Sequence, residues 1–134
     1  LPRQICHNDI TPGNILVQDD AIMALLDFEF ITVAARALDI VMALRTTMRL
    51  WENPAPLDTV RHFFAGYNQV IKITPAEIEA LPMLMRLRSA LPIIWWLGQN
   101  QNLDNISTMI GYHQNMRNWL STHEQVFLNC VRAT

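Results

Sequence analysis

The chain has 134 residues, of which 51% are hydrophobic and 16% are charged, and its formal net charge is −2. This size and composition are typical of one globular domain with a substantial buried core. The small negative charge and the pI of about 6.0 give no electrostatic reason to expect a nucleic-acid or anionic-membrane partner. The apolar stretch over residues 90–97 is too short for a membrane span and contains Pro92.

The chain contains two cysteines, Cys6 and Cys130, which lie far apart in the sequence. This pattern is typical of free thiols in a reducing compartment, so we expect a cytoplasmic protein. Zinc is not expected, because Cys6 and His7 are adjacent but no second pair of ligands follows them. The chain starts at Leu1 without a Met or a signal-like segment, so we expect that it begins inside a longer product.

Four polar residues near the start of the chain form one motif. His7, Asp9 and Asn14 follow the spacing H-x-D-x-x-x-x-N, and Asp27 follows thirteen residues later in the dipeptide D-F. This is the spacing of the catalytic loop and the metal-binding Asp in the protein-kinase-like fold. Phosphorylation of a hydroxyl needs a carboxylate near its proton, which Asp9 can supply. It also needs oxygen ligands for magnesium, which Asn14 and Asp27 can supply.

A β-hairpin is predicted between these residues. Residues 15–17 and 22–26 are two apolar runs joined by a short polar segment. A hairpin brings its ends together, so Asn14 and Asp27 would be neighbours, as a shared metal requires. The alternative is an ordinary surface turn, which the dipeptide Pro12-Gly13 also fits. We favour the hairpin, because a chance match would have to place three polar residue types at fixed offsets around it.

Residues 5–43 resemble the aminoglycoside phosphotransferase and choline kinase superfamily, including its homoserine-kinase-like branch. The segment CHNDITPGNIL is similar to the catalytic loop of that superfamily, LLDFEF is similar to its metal-binding motif, and ALDIV is similar to the start of the helix that follows. A weaker likeness continues through FFAGYNQVIKITPAEIEALP, which resembles the helical substrate-binding part of the homoserine-kinase-like members.

The resemblance implies a mainly α fold with a small β-hairpin, the C-terminal helical lobe of a protein-kinase-like fold. It implies that Asp9 is the catalytic base, that Asn14 and Asp27 are metal ligands, and that His7 and Asp39 support the catalytic loop. The implied function is ATP-dependent phosphorylation of a hydroxyl on a small metabolite, with ATP and magnesium as cofactors. Homoserine, choline or ethanolamine, and aminoglycosides are the candidate acceptors.

Two departures from the protein-kinase pattern favour a small-molecule kinase. Thr11 stands where protein kinases place a Lys two residues after the catalytic Asp, and Glu29 replaces the Gly of D-F-G. No A-P-E segment follows the D-F dipeptide, and the chain continues almost directly into a helix. The acceptor is therefore expected to be a small molecule.

A nucleotide-binding lobe is missing from these residues, since no Gly-rich phosphate loop or V-A-I-K-like strand precedes the motif. The one lysine, Lys72, comes after the motif and not before it. We predict that residues 1–134 are a C-terminal catalytic and substrate-binding lobe, with the catalytic loop and metal hairpin in residues 5–30 and the helical part in residues 34–134. Its expected partners are a small hydroxylated substrate, the missing N-terminal lobe and further copies of itself. The alternative is a non-catalytic fragment or a pseudokinase-like interaction module.

The rest of the chain is predicted to be helical. Hydrophobic periodicity indicates helices over residues 38–51 and 57–71, separated by a proline-rich stop at residues 53–56. Residues 74–77 combine an N-cap Thr, a first-turn Pro and a reciprocating Glu, a helix start worth about 1 kcal/mol. Pro82 is predicted to end that helix.

Three further helices are predicted. The first covers residues 84–97 with a kink at Pro92, the second covers residues 106–120, and the last follows residues 121–125, where Ser or Thr can cap it.

Two aromatic side chains are candidate substrate contacts. Trp95 and Trp96 could stack on a substrate or cradle a cationic amine, although one ring of such a pair more often belongs to the core. A glycosidase-like pair formed by Asp9 and Asp27 stays open on residue types, but it leaves Asn14 without a role.

Overall fold

Two small antiparallel sheets precede four helices in the computed structural model. The structure describes residues 1–98 and 103–134, without the side chains of Thr47, Trp96, Leu103 and Asn105. The predicted fold class, mainly α with a small β part, is confirmed. Among the described residues, none of the helices combines the length and hydrophobicity needed to cross a bilayer. The two cysteines are buried free thiols, as expected.

The predicted hairpin is present. Strand β2 (Ile15–Gln18) pairs with β3 (Ala21–Leu25), and the turn between them consists of Asp19 and Asp20. Both turn residues have positive φ angles, 49° and 60°, as a tight hairpin turn requires at its two central positions. The polar segment that separates the two apolar runs therefore supplies the turn.

A second sheet was not predicted. Strand β1 (Arg3–Cys6) pairs with β4 (Thr32–Ala35), so the segments before the catalytic loop and after the metal motif lie side by side. Residues 7–31 separate these two four-residue strands, so no short turn in the sequence signals their pairing. The pairing closes residues 7–31 into one loop whose ends are fixed.

The helices follow in four segments. Helix α1 (Ala37–Met42) continues as a π-helical turn over Ala43–Thr47, α2 covers Pro56–Val70, α3 covers Pro75–Gly98 and α4 covers Leu103–Arg132. The first predicted helix, over residues 38–51, thus ends at residue 47. The predicted loop over residues 98–105 falls partly on residues 99–102, outside the described residues, and it was too long at its end because α4 already begins at residue 103.

The prediction that Pro82 ends a helix was wrong, because α3 passes through both Pro82 and Pro92. A proline inside a helix removes one hydrogen bond and costs about 3 kcal/mol. Tertiary packing offsets this cost, since Leu81 and Met85, on either side of Pro82, are completely buried. Helix α3 packs against both α1 and α4.

The predicted cap at Ser121 and Thr122 was also wrong, because α4 continues through both residues. Their hydroxyl groups bond back to carbonyl oxygens inside the helix. Ser121 Oγ donates to the Asn118 carbonyl at 2.7 Å, and Thr122 Oγ1 lies 3.0 Å from the Trp119 carbonyl. This arrangement satisfies each hydroxyl without ending the helix.

The capping motif at the start of α3 is confirmed. Glu77 accepts hydrogen bonds from the backbone and hydroxyl of Thr74 at 2.9 and 2.8 Å, and Thr74 Oγ1 accepts the Glu77 amide at 3.3 Å. Glu77 also pairs with Arg36, just before α1, through contacts of 2.6 and 2.7 Å. Although burial alone raises it, these hydrogen bonds from Arg36 and Thr74 lower the pKa of Glu77 to about 2.

The hydrophobic core lies between the four helices. Its fully buried side chains include Leu44, Phe64, Leu81, Met85, Leu120 and Phe127. Burial of each large side chain contributes on the order of 2 kcal/mol. The core therefore holds α1, and with it Asp39, in a fixed position beneath the loop that follows β1.

Candidate active site

The loop after β1 is fixed by Asp39, in the first turn of α1. One carboxylate oxygen of Asp39 accepts the backbone amide of His7 at 2.9 Å, and the other accepts the backbone amide of Asn8 at 2.7 Å. Asn8 has a φ angle of 63°, a left-handed conformation that costs a non-glycine residue free energy. The Asn8 side chain donates to the Phe30 carbonyl at 3.2 Å. Asp39 thus holds the start of the loop in a strained turn.

His7 connects the same loop to the end of the hairpin. Its Nε2 atom lies 2.9 Å from the Leu26 carbonyl, and its Nδ1 atom accepts the backbone amide of Asp9 at 3.3 Å. Because a carbonyl only accepts and a backbone amide only donates, the proton of the neutral ring belongs on Nε2. His7 is 6% exposed and packs on Phe28, with ring centroids 4.8 Å apart. His7 therefore anchors the loop.

Asp9 and Asn14 lie in direct contact. The Asn14 side-chain amide donates to Asp9 Oδ2 at 2.7 Å and to the Asp9 carbonyl at 3.0 Å. Asn14 is the last residue of a short 3₁₀ turn, Pro12–Asn14, which returns the chain toward Asp9. With both contacts made by the nitrogen, the amide oxygen of Asn14 stays available as a ligand.

Asp27 follows the hairpin end opposite Asn14. The Leu26 amide donates to the Asn14 carbonyl at 2.9 Å, next to the pair Ile15 and Leu25, so the two ends of the hairpin are adjacent. Asp27 is exposed and has a φ angle of 62°. The hairpin therefore positions Asn14 and Asp27 close together in the backbone, while a shared magnesium ion between their side chains stays a prediction.

The donor atoms fit magnesium better than a softer metal. An amide oxygen on Asn14 and a carboxylate on Asp27 are hard oxygen ligands, which magnesium prefers. Among the described residues, no three His, Cys, Asp or Glu side chains are grouped to hold a metal ion. Magnesium needs no such cage, because it usually takes one or two protein ligands together with water and phosphate oxygens.

A cleft of about 350 Å³ lies beside Asp9. It extends from the catalytic loop to the π-helical turn after α1 and to α3. Its lining includes Asp9, Arg45, Thr46, Arg88, Leu91 and Trp95. Of the two tryptophans proposed as substrate contacts, Trp95 lines this cleft, and the Trp96 side chain is outside the described residues.

Sequence reasoning missed Arg45 and Arg88, which both line the cleft. Burial lowers the pKa of both guanidinium groups. The charge of Arg88 lowers the pKa of Arg45 further, whereas Asp9 opposes the decrease at both residues. The sequence did contain a sign of both arginines. Arg45 lies three positions after Met42, and Arg88 lies three positions before Leu91, so each arginine is on the same side of its helix as an apolar residue. A charged residue on the apolar side of a predicted helix points to a pocket or a pair.

The sequence model of a phosphotransferase enzyme family matches residues 1–81, which include the catalytic loop, both sheets, α1, α2 and the start of α3. The chain belongs to the phosphotransferase enzyme family. This membership confirms the resemblance on which the site was predicted. The matched residues contain Asp9, Asn14, Asp27 and Asp39, whereas Arg88 lies beyond them.

Homoserine kinases are among the relatives of this phosphotransferase-family chain. The chain is 36% identical over 101 residues to the homoserine kinase of Beijerinckia indica, a match that covers 72% of the chain and 32% of the relative. It is 33% identical over 86 residues to the homoserine kinase of Rhodospirillum rubrum, covering 64% of the chain and 27% of the relative. The chain spans about a third of the length of these relatives. No solved structure is a significant match.

Proposed function

We propose that this chain is the catalytic and acceptor-binding part of an ATP-dependent phosphotransferase that acts on a hydroxyl of a small metabolite. One observation carries the proposal: Asp9, held by Asn14 at 2.7 Å, lies on the wall of a cleft large enough for a small molecule. Membership of the phosphotransferase enzyme family and similarity to homoserine kinases support the same reaction.

Asp9 is the proposed base. Its Oδ2 atom accepts the Asn14 amide, and no described residue donates to Oδ1, which can therefore accept the proton of an acceptor hydroxyl. His7, Asn14 and Asp39 fix the loop on both sides of Asp9, so the carboxylate needs little reorganisation when the acceptor binds. Positioning of this kind is the main contribution of a protein to phosphoryl transfer.

The nucleotide end of the site is assigned to Asn14 and Asp27. The Asn14 amide oxygen and the Asp27 carboxylate would hold magnesium, which neutralises charge on the nucleotide phosphates when it is bound. The hairpin connects these two residues and sets their separation.

The surface next to the site is unusually apolar for a surface in contact with water. Exposed apolar side chains cover the hairpin and its surroundings, including Leu16, Val17, Ile22, Met23, Phe28 and Val33. Exposed apolar patches larger than a few hundred Å² mark contact surfaces. We propose that a nucleotide-binding lobe covers this face in the whole protein. A non-catalytic interaction module would use the same face but would not need the Asp9–Asn14 pair.

The acceptor is proposed to be a homoserine-type molecule, because both of the relatives described above are named homoserine kinase. Choline or ethanolamine and the aminoglycosides are the other candidates. The test is to incubate the full-length gene product with ATP, magnesium and each acceptor separately, and to measure ADP release and the phosphorylated product. We expect turnover that requires magnesium and one class of acceptor. Absence of phosphorylated product with every acceptor would contradict the proposal.

A further inference from the structure

Two positive charges face the same cleft from different helical segments. Arg45 is in the π-helical turn after α1, and Arg88 is in the middle of α3. Among the described residues that line the cleft, Asp9 is the one carboxylate beside two guanidinium groups, while the charge of Asp39, outside the lining, also acts on Arg88. The cleft wall therefore carries one surplus positive charge next to the proposed base.

Arg88 is held in place by contacts with two other residues that line the cleft, Asn8 and Met42. One of its terminal nitrogens donates to the Asn8 carbonyl, and its Nε lies 2.9 Å from the Met42 sulfur. A guanidinium has five N–H donors, so these contacts leave others for a ligand. The hydrogen bond to Asn8 fixes Arg88 to the catalytic loop, which sets its position relative to Asp9.

Arg45 has no comparable partner. Among the described residues, no hydrogen bond or ion pair includes its side chain, although it is partly buried. The other partly buried arginines have acidic or carbonyl partners: Arg36 pairs with Glu77, and Arg86 pairs with Glu124. Burying an unpaired charge is costly, and a second positive charge nearby increases the cost. An anion bound between Arg45 and Arg88 would remove both penalties.

We propose that Arg45 and Arg88 bind a carboxylate of the acceptor, so that this site selects hydroxylated amino acids or hydroxy acids. This inference rests on the proposed phosphotransferase function. Two guanidinium groups suit a carboxylate, which accepts paired hydrogen bonds from arginine. Choline and aminoglycosides carry cationic groups but no carboxylate, so they would leave both guanidinium groups without a counter-charge, and the same residues select against those acceptors.

The remaining walls suit the short carbon chain of such an acceptor. Met42, Leu91 and Trp95 supply apolar surface in the same cleft. A volume of about 350 Å³ limits the acceptor to a small molecule. A carboxylate on the arginines and a hydroxyl on Asp9 would be bridged by a few methylene groups, as in homoserine.

Arg45→Gln in the full-length gene product is the sharpest test, because among the described residues no hydrogen bond or ion pair depends on the Arg45 side chain. The probes are homoserine and homoserine amide, in which an uncharged amide group replaces the carboxylate. Charge-assisted hydrogen bonds contribute enough for a loss of roughly 10- to 100-fold. We expect the KM for homoserine to rise by that factor in Arg45→Gln, with the KM values for ATP and for the amide unchanged.

Two further variants complete the test. Arg45→Lys keeps the charge and should recover part of the affinity for homoserine. Arg61→Gln is the matched control, because Arg61 is exposed on α2 and pairs with Asp58 outside the cleft. This control should behave as the wild type toward both acceptors.

Several outcomes would overturn the inference. Equal use of homoserine and its amide by the wild type would show that no carboxylate is recognised. A rise in the KM for ATP in Arg45→Gln, with the acceptor KM unchanged, would assign the arginines to the nucleotide phosphates. Turnover of choline or ethanolamine without turnover of homoserine would also overturn the inference. That result would leave the proposed phosphotransferase function intact.

Calorimetric titration of homoserine separates failure of the site from failure of the function. Binding that is lost in Arg45→Gln, without any ATP turnover, would support the carboxylate site and contradict the proposed reaction. Neither binding nor turnover of homoserine or any other carboxylate would overturn both.

Discussion

The carboxylate of Asp39 accepts a 2.7 Å hydrogen bond from the backbone amide of Asn8, which lies 31 positions earlier in the chain. Asn8 is in a left-handed conformation, with a φ angle of 63°, directly before Asp9. The strain of that conformation is offset by the contacts of Asp39 with the loop. The position of the proposed base therefore depends on a residue of α1.

Asp39→Asn should lower both stability and turnover. An amide has one accepting oxygen, so it cannot receive the two backbone amides that the carboxylate of Asp39 receives. A buried donor left without a partner costs about 1–3 kcal/mol. Urea unfolding should show a loss of that size, and kcat should fall as the loop loosens. Asp58→Asn, at an exposed position in α2, is the control; equal kcat in Asp39→Asn and wild type would contradict the role assigned to Asp39.

Asp9→Asn should reduce turnover by roughly 10²- to 10⁴-fold while ATP binding stays largely intact, because removing the base leaves the nucleotide contacts in place. The measurements are steady-state kcat and nucleotide titration. Asp19→Asn is the matched control, since Asp19 is exposed in the hairpin turn and Asn tolerates its positive φ. Wild-type turnover in Asp9→Asn would remove Asp9 from the mechanism.

Asp27→Ala should have a different effect from Asp9→Asn. It should weaken binding of the magnesium nucleotide, because the proposed site loses its one carboxylate and keeps a neutral amide. Titration of ATP with and without magnesium measures this directly. The expected result is a loss confined to the magnesium-containing titration, and an unchanged affinity there would argue against Asp27 as a ligand.

Much of the site could be predicted from sequence because its determinants are local. The hairpin follows from two apolar runs and an Asp19-Asp20 turn, and the α3 cap follows from the reciprocal contacts of Thr74 and Glu77. Asp9 and Asn14 are five residues apart, so their contact depends on one short turn. The spacing of residues along the chain is sufficient to predict features of this kind.

The parts that were missed depend on contacts between distant segments. Pro82 is a helix breaker by local propensity, but burial of its neighbours in α3 outweighs its cost. The pairing of β1 with β4 joins strands that no short turn connects. Arg45 and Arg88 are 43 positions apart, and only the packing of α1 on α3 brings them to one cleft. Periodicity shows which side of a helix is buried, but it does not show where packing leaves a cavity.

Glu77 predicts a pH dependence of stability. Its folded-state pKa of about 2 is below the ordinary value of 4.5, so its ion pair with Arg36 stabilises the fold above pH 4.5 and is lost as the pH falls toward 2. The Glu77 side chain is 0% exposed, and the shift corresponds to roughly 3 kcal/mol at neutral pH. Glu77→Gln should therefore destabilise the protein by about that amount at pH 7.

Urea unfolding at pH 7 and at pH 3 measures the Glu77 effect. The difference between wild type and Glu77→Gln should shrink at the lower pH, where part of the wild-type stabilisation is already lost. Glu79→Gln is the matched control on the same helix, because the Glu79 side chain is 60% exposed in its pair with Arg132. A Glu77→Gln loss that is the same at both pH values would show that packing and not charge accounts for it.

The isolated chain of residues 1–134 should self-associate and should show no phosphotransfer. Ile22, Met23 and Val17 are 69%, 59% and 57% exposed, so large apolar side chains on both faces of the hairpin meet water. Such a surface tends to recruit a partner, and in the absence of a nucleotide-binding lobe the partner is a second copy. We expect no turnover, because the described residues form no phosphate-binding loop that could hold the transferred phosphoryl group in line with Asp9.

Light scattering and an ATP-consumption assay on the isolated chain test this last prediction. The measured mass should exceed that of the 15.4 kDa monomer and should fall toward it in Ile22→Glu, which places a charge at an exposed apolar position of the hairpin, opposite Val17. Val70→Glu is the control, because Val70 is 85% exposed at the end of α2 and its change should leave the mass unaltered. Magnesium alone should bind weakly, since two protein oxygens without phosphates make an incomplete site. A stable monomer with robust, magnesium-dependent turnover would show that these residues already contain everything that phosphoryl transfer needs.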